Sequence, residues 1–493
     1  MLAAMCRRAL ALIVGLSFAA CSGPGARGPR AVDVGPHAGL VFVPPTATYV
    51  VATTRLDDAL RLLRDAIDGL GPLAGVDADR VSRELTGAFG FDPLSDAALA
   101  QQGLDPTRGL ALWADGGVGP VLALPVSEPA RLAARIEELR KSGAVVQVER
   151  IEGREVSTWR PDREVALHWT FVDDWLLLHL EILEEREAPA AWLRAALAAR
   201  GSFVATPDHA ALGAAMATRV PERTAIGLLR MDTLRATRVG AAMGPCLPLA
   251  AGIGRIFASA GTDGKVAHGA LVLEVPGGTD GVAAVMLAPP PGWTATRADA
   301  PMVVEAGVDL RQVQAALGAC IGTELTRDAI GSGIFGGRMF ARRADVADLE
   351  FEGALAALID PAVVADALDE IPGLDFLSKK RTVAGQAVVS VDVPMVPSFA
   401  YAQRGEAMVV AVETSIDPLL TGAGPDPAAA ELLRVELRPQ AWSADQWSEL
   451  LRPLVRREQA RTFAVRALRR WKLGQLLLVR EPQALVFTAR GER

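Results

Sequence analysis

Apolar positions recur along this chain in two periods, and the periods follow one another in a repeating order. A short apolar strand comes first, then an amphipathic helix of period near 3.6, then apolar strands of period 2 split by a turn signal. The first unit opens on Thr48–Ile67, the second on Thr224–Met243 and the third on Pro301–Ile321, with a weaker fourth at Leu432–Leu454. In the first three an apolar residue precedes an aspartate: Leu56-Asp57, Met231-Asp232 and Val308-Asp309. Those aspartates are placed to cap their helices by accepting from the first free N–H groups, and Ser443 takes that role in the fourth.

Each helix leads to a strand pair. Gly109–Trp113 turns at Asp115-Gly116, Arg255–Phe257 at Asp263-Gly264, Arg338–Phe340 near Ala344-Asp345, and Gln475–Leu477 at Glu481-Pro482. Asp-Gly between apolar runs is a strong hairpin signal, because glycine tolerates the positive φ of the turn. Units one and three continue further. A capping residue before proline starts a helix at Glu128-Pro129 and at Asp360-Pro361. Each extension then runs into a three-stranded meander, from Glu152-Gly153 to Asp173-Asp174 and from Ala384-Gly385 to Arg404-Gly405.

The order long, short, long, short divides the chain near Arg297–Pro301. The expected architecture is α+β: two tandem duplicated domains, 39–298 and 299–493, each a twisted, largely antiparallel sheet with helices packed on one face. The alternation in Val165–Phe171 and Trp175–Leu180 predicts strands with one buried face and one free for binding or for a neighbouring domain.

Ahead of the first unit the pattern changes. Arg7-Arg8 precedes the apolar run Ala9–Ala20, which is too short to span a bilayer and is followed by Cys21. Phe18-Ala19-Ala20-Cys21 resembles the lipobox of bacterial lipoprotein signals, with phenylalanine where leucine is usual. The resemblance implies a signal peptide over 1–20, lipidation of Cys21 and export. With Ser22 rather than aspartate next, it implies an outer membrane lipoprotein facing the periplasm or cell surface. Residues 21–38, rich in Gly and Pro, form a flexible stalk.

Half of the residues are apolar and 22% are charged, so the chain has ample material for a core of more than one domain. The net charge of −7 becomes −9 when Arg7 and Arg8 leave with the signal, which argues against a general nucleic-acid partner. Arginine outnumbers lysine 46 to 5, a GC-rich coding bias rather than anion recognition. With Cys6 discarded and Cys21 acylated, Cys246 and Cys320 are the thiols left in an oxidising compartment, and a disulfide between them is expected. The alternative is two buried small apolar residues too far apart to bridge.

Chemistry is sparse. His37, His168, His179, His209 and His268 lack metal-ligand spacing, although His168 and His179 fall opposite each other across the Asp173-Asp174 turn. Gly331–Gly336 satisfies GxGxxG, but it follows a helical-looking segment and precedes a strand, the reverse of a dinucleotide site. Glu181, Glu184, Glu185 and Glu187 read as a solvated helix face or linker, and the basic stretch from Glu431 to Arg493 as a solvated helix or a surface for anionic lipid or an acidic partner. No GxSxG, SxxK, HExxH or Walker loop occurs. No cofactor or metal is expected.

The whole pattern resembles lipid-anchored envelope proteins of GC-rich Gram-negative bacteria built from degenerate strand–helix–hairpin units, a resemblance that implies no particular activity. The leading expectation is a non-enzymatic scaffold or interaction surface. Its membrane contact is the N-terminal lipid and its partner an envelope protein. A carrier of lipid or another hydrophobic ligand is the alternative, and a hydrolase with dispersed catalytic residues stands third.

Overall fold

The computed structural model describes residues 34–492 apart from 71–77, 142–145, 161–164, 183–189, 238–249, 277–301, 308–333, 346–349, 360–373, 393–397, 422–430, 453–457 and several gaps of one or two residues. The chain forms two compact units, residues 1–237 with 257–262 and residues 238–256 with 263–493. Each is a mainly antiparallel sheet with helices, as expected at that level.

The first unit begins with a 3-10 turn, Ala38–Phe42, followed by β1 (Tyr49–Thr53) and helices α1 (Leu56–Leu70), α2 (Ala78–Phe89) and α3 (Asp96–Gln101). The hairpin β2 (Ala111–Asp115) and β3 (Val118–Pro125) leads to α4 (Pro129–Lys141) and then to β4 (Val146–Ile151), β5 (Arg154–Trp159), β6 (Val165–Val172) and β7 (Trp175–Ile182). After α5 (Ala191–Ala199) and α6 (Pro207–Met216) come β8 (Ala225–Arg230), α7 (Met231–Arg235) and β9 (Arg255–Thr262). Antiparallel pairings give the order β4-β5-β6-β7-β3-β2-β1-β8. The Ser259 hydroxyl of β9 donates to the Ala225 carbonyl of β8 at 2.9 Å.

In the second unit the elements are β10 (Val266–Glu274), β11 (Met302–Gly307), β12 (Ile334–Asp345), β13 (Glu350–Ile359), α8 (Leu374–Leu377), β14 (Ser378–Val383), β15 (Gln386–Val391), β16 (Phe399–Arg404) and β17 (Ala407–Val412). They continue with α9 (Asp417–Thr421), β18 (Glu431–Leu437), α10 (Ala444–Leu451), α11 (Glu458–Leu468), β19 (Leu473–Glu481) and β20 (Ala484–Glu492). The order is β14-β15-β16-β17-β13-β12-β11-β18-β19-β20-β10, antiparallel throughout. With β1 set against β11, the two orders agree at all eight positions that the first unit's ladder fills.

Three local expectations change. Asp57 and Asp232 lie inside the first helical turn rather than at the cap, because the helices start two residues earlier than such a cap requires, at the buried Leu56 and Met231. Negative charge there still suits the helix dipole. Ser443 does cap α10, and Gln446 completes a capping box. The meanders have four strands, not three. Their first strands, β4 and β14, are exposed along most of their length and so carry no apolar alternation to read.

Helices do not occupy one face only. In the first unit Leu167, Trp169 and Phe171 of β6 share a face with Leu176 and Leu178 of β7 and with Leu122 and Leu124 of β3, packed under Leu56 of α1, Leu99 of α3 and Leu132 of α4. The opposite face, bearing His168, His179, Leu177, Val121 and Trp113, is also covered. There Phe42 of the 3-10 turn meets Trp175 edge-on at 5.5 Å, and Trp192 of α5 stacks on His179. The period-2 pattern identified the faces, but the cover came from the 3-10 turn ahead of β1 and from α5, which lies between β7 and β8. In the second unit Trp442, just before α10, with Trp447 of α10 and Val465 of α11 covers Met302, and Leu420 of α9 with the preceding Ile416 packs onto Val388, Ala402 and Val409.

Candidate functional site

The strand pairing β5-β6-β7 brings polar side chains into a row on the face covered by α5. Thr158 lies opposite His168, and His168 opposite His179, as counting from the turn predicts. The His168 ring bridges its neighbours, with Nδ1 2.9 Å from Thr158 Oγ1 and Nε2 2.8 Å from Glu181 Oε2. His179 is 1% exposed, stacks between His168 at 5.6 Å and Trp192 at 5.2 Å, and places Nδ1 3.3 Å from the Pro120 carbonyl.

Burial lowers the His168 pKa below its ordinary value, and the His179 ring pushes in the same direction against the opposing pull of Glu181. Neutral imidazole has one donor and one acceptor. Because a carboxylate only accepts, Nε2–H donates to Glu181, and Nδ1 accepts the Thr158 hydroxyl proton. Hydroxyl, imidazole and carboxylate in sequence is the element set of nucleophilic catalysis. Here Thr158 is 5% exposed, so no substrate carbonyl reaches its oxygen without displacing the cover. The stacked rings, 21° apart in plane, direct their in-plane lone pairs side by side rather than toward a common ion. Among the described residues no group of three or more His, Cys, Asp or Glu is arranged to hold a metal.

The second unit supplies an internal comparison. Counting from the equivalent turns at Glu152-Gly153 and Ala384-Gly385, the positions of Thr158, His168 and His179 correspond to Ser390, Ala400 and Ala411, which pair in the same way. Ala400 and Ala411 are 8% and 0% exposed. One unit fills this layer with imidazoles and the other with methyl groups, as interchangeable packing would allow.

Two further polar clusters sit in the first unit. His37, 7% exposed, has its pKa lowered to about 4, chiefly by burial and then by the charges of Arg223 and His209. Its Nε2 has no hydrogen-bond partner among the described residues. Arg230 is a clamp: its guanidinium donates to Asp208 Oδ2 at 2.6 Å and to the carbonyls of Ala47 and Pro45, each at 2.8 Å. It ties the N-terminal segment and α6 to β8.

Cys21, Cys246 and Cys320 lie outside the described residues, as do Glu184, Glu185, Glu187, Asp309 and the glycines 331 and 333. Glu181, grouped by sequence with the solvated carboxylates, is instead a strand residue two places from His179 and on its face, a relation that the period of 2 contains. Thr158 was missed because the 161–164 segment before β6 leaves its register unreadable. Trp192 was missed because nothing in the sequence assigns α5 to this face.

No protein-family model and no curated protein matches the sequence. Two solved structures of TP0453, crystal forms I and III, align at 10% and 8% identity over 50% and 48% of this chain and 79% and 78% of theirs, each with a TM-score of 0.26.

Proposed function

We propose that the chain is a non-enzymatic protein of the cell envelope, anchored in the outer membrane by acylation of Cys21, whose two units arose by duplication and serve as a scaffold or protein-interaction surface. In this reading the domains are 39–298 and 299–493. The observation that carries it is the recurrence of one strand order in both units while the hydroxyl–imidazole–carboxylate chain of the first unit is covered and its two imidazole positions are alanines in the second. A repeated frame with an unrepeated, closed polar layer favours presentation of surface over catalysis.

Membrane fractionation of wild type and Cys21→Ser tests the anchor. The wild type is expected with the membranes and the variant in the soluble fraction; a variant that stays membrane-bound at the mature mass overturns it. Failure of the two halves to superpose in an experimental structure would overturn the duplication.

A carrier of lipid or another hydrophobic ligand is the second reading. It is favoured by one face of the second sheet on which Leu271, Val435 and Phe487 are only partly buried and Leu476 is exposed. Native mass spectrometry with a bound lipid would raise this reading above the first.

A further inference from the structure

The segment where α8 runs into β14 differs in character from the rest of the surface. Phe376 is 94% exposed and Leu377 45% exposed. Lys379, Lys380 and Arg381 follow at once, all exposed. Arg381 is held by Asp417, with 2.9 and 2.5 Å bonds to its two carboxylate oxygens. No carboxylate among the described residues pairs with Lys379 or Lys380. In a chain with five lysines and a net charge of −7, two adjacent lysines beside an uncovered phenylalanine stand apart from the arginine-rich background.

The place in the fold does not require this composition. β4 occupies the same position in the first unit's sheet, and its residues at the three corresponding places are Gln147, Val148 and Glu149. The sequence has no aromatic at the places matching Phe376 and Leu377, which are Ala144 and Val145. Both strands lie at an edge of the described ladder, so the basic and aromatic character belongs to the second unit alone.

We propose that Phe376, Leu377, Lys379 and Lys380 form a second membrane contact, in which the ring enters the boundary between headgroups and acyl chains while the ammonium groups meet anionic lipid phosphates. Apolar and aromatic groups beside lysine are the chemistry of interfacial binding. An acidic protein satisfies the lysines but gives an exposed ring no role unless it also offers a pocket. A bilayer takes both, and this assignment rests on the membrane tethering proposed above. A second contact on the last four-stranded meander holds the body against the surface and fixes which side faces away.

The test is vesicle co-sedimentation of the full chain with Cys21 retained, using phosphatidylcholine alone and phosphatidylcholine mixed with phosphatidylglycerol. Keeping the anchor constant separates this contact from it: acylation raises binding to both vesicles, while the patch raises binding to the anionic ones. Binding to anionic vesicles is expected to exceed that to neutral ones by about ten-fold or more at low salt. Lys379→Glu with Lys380→Glu should abolish the difference, and Phe376→Ser should lower binding to both kinds of vesicle, with the thermal unfolding of both variants unchanged. Equal binding to the two vesicles, or variants that bind as the wild type does, overturns the proposal. So does binding to both vesicles that Phe376→Ser leaves unchanged, because a purely electrostatic patch is what an acidic protein partner would need.

Discussion

Acid should loosen the first unit through His37 before it affects the carboxylates. This side chain is almost completely buried, its Nε2 has no partner among the described residues, and its folded pKa is about 4 against an ordinary value of 6.5. A histidine with a depressed folded pKa is neutral in the native state and gains its proton on unfolding. Its contribution is therefore fully present above pH 6.5 and is lost as pH falls from 6.5 toward 4. The two values imply a loss of ~2 kcal/mol by pH 5 and ~3 kcal/mol by pH 4, at 1.36 kcal/mol per unit. His168 and His209, whose pKa values are lowered chiefly by burial, act in the same direction. The assay is urea unfolding between pH 7.5 and 4, comparing wild type with His37→Gln, which keeps an N–H donor but cannot titrate. The variant should start less stable and lose ~2 kcal/mol less than the wild type between about pH 7 and 5. Equal pH slopes would refute the assignment of the acid sensitivity to His37.

Other expectations are equally concrete. Arg230→Met leaves Asp208 and two carbonyls without their shared donor and should cost ~3–5 kcal/mol in chemical unfolding, with Arg230→Lys recovering part of it because one ammonium cannot span three acceptors. Thr158→Val leaves His168 Nδ1 facing a methyl group and should cost ~1–3 kcal/mol without creating or removing any hydrolytic activity; ester-hydrolysis assays that fell with this variant would contradict the structural role. Gly109→Ala would place a Cβ 1.6 Å from the Thr53 carbonyl oxygen, where backbone meets backbone, and should destabilise by ~3 kcal/mol or more in thermal or chemical unfolding.

Much of the frame was legible because turns and periods are local. The hairpin at Asp115, those ending at Asp345 and Glu481, and the turns at Gly153, Asp173 and Gly385 all appear, several with the positive φ that fixes them. The register from Asp173-Asp174 brought His168 opposite His179 because an antiparallel hairpin leaves no freedom once its turn is known. What escaped was non-local. The insertion of β3 beside β7, the placing of β8 on β1, and the second cover laid over the His168 face by Phe42 and Trp192 depend on tertiary packing that no window of sequence contains. Edge strands β4 and β14 escaped for the opposite reason: exposed along all but their end residues, they bear little burial pattern.

The reading of this protein as an anchored, duplicated, non-catalytic body turns first on its N-terminus. Mass spectrometry of the N-terminal peptide from membrane-extracted protein tests it most directly. The account predicts a mature chain beginning at Cys21 and carrying acyl groups on that residue. A mature chain whose Cys21 bears a free thiol, or one that begins beyond it, would contradict the account.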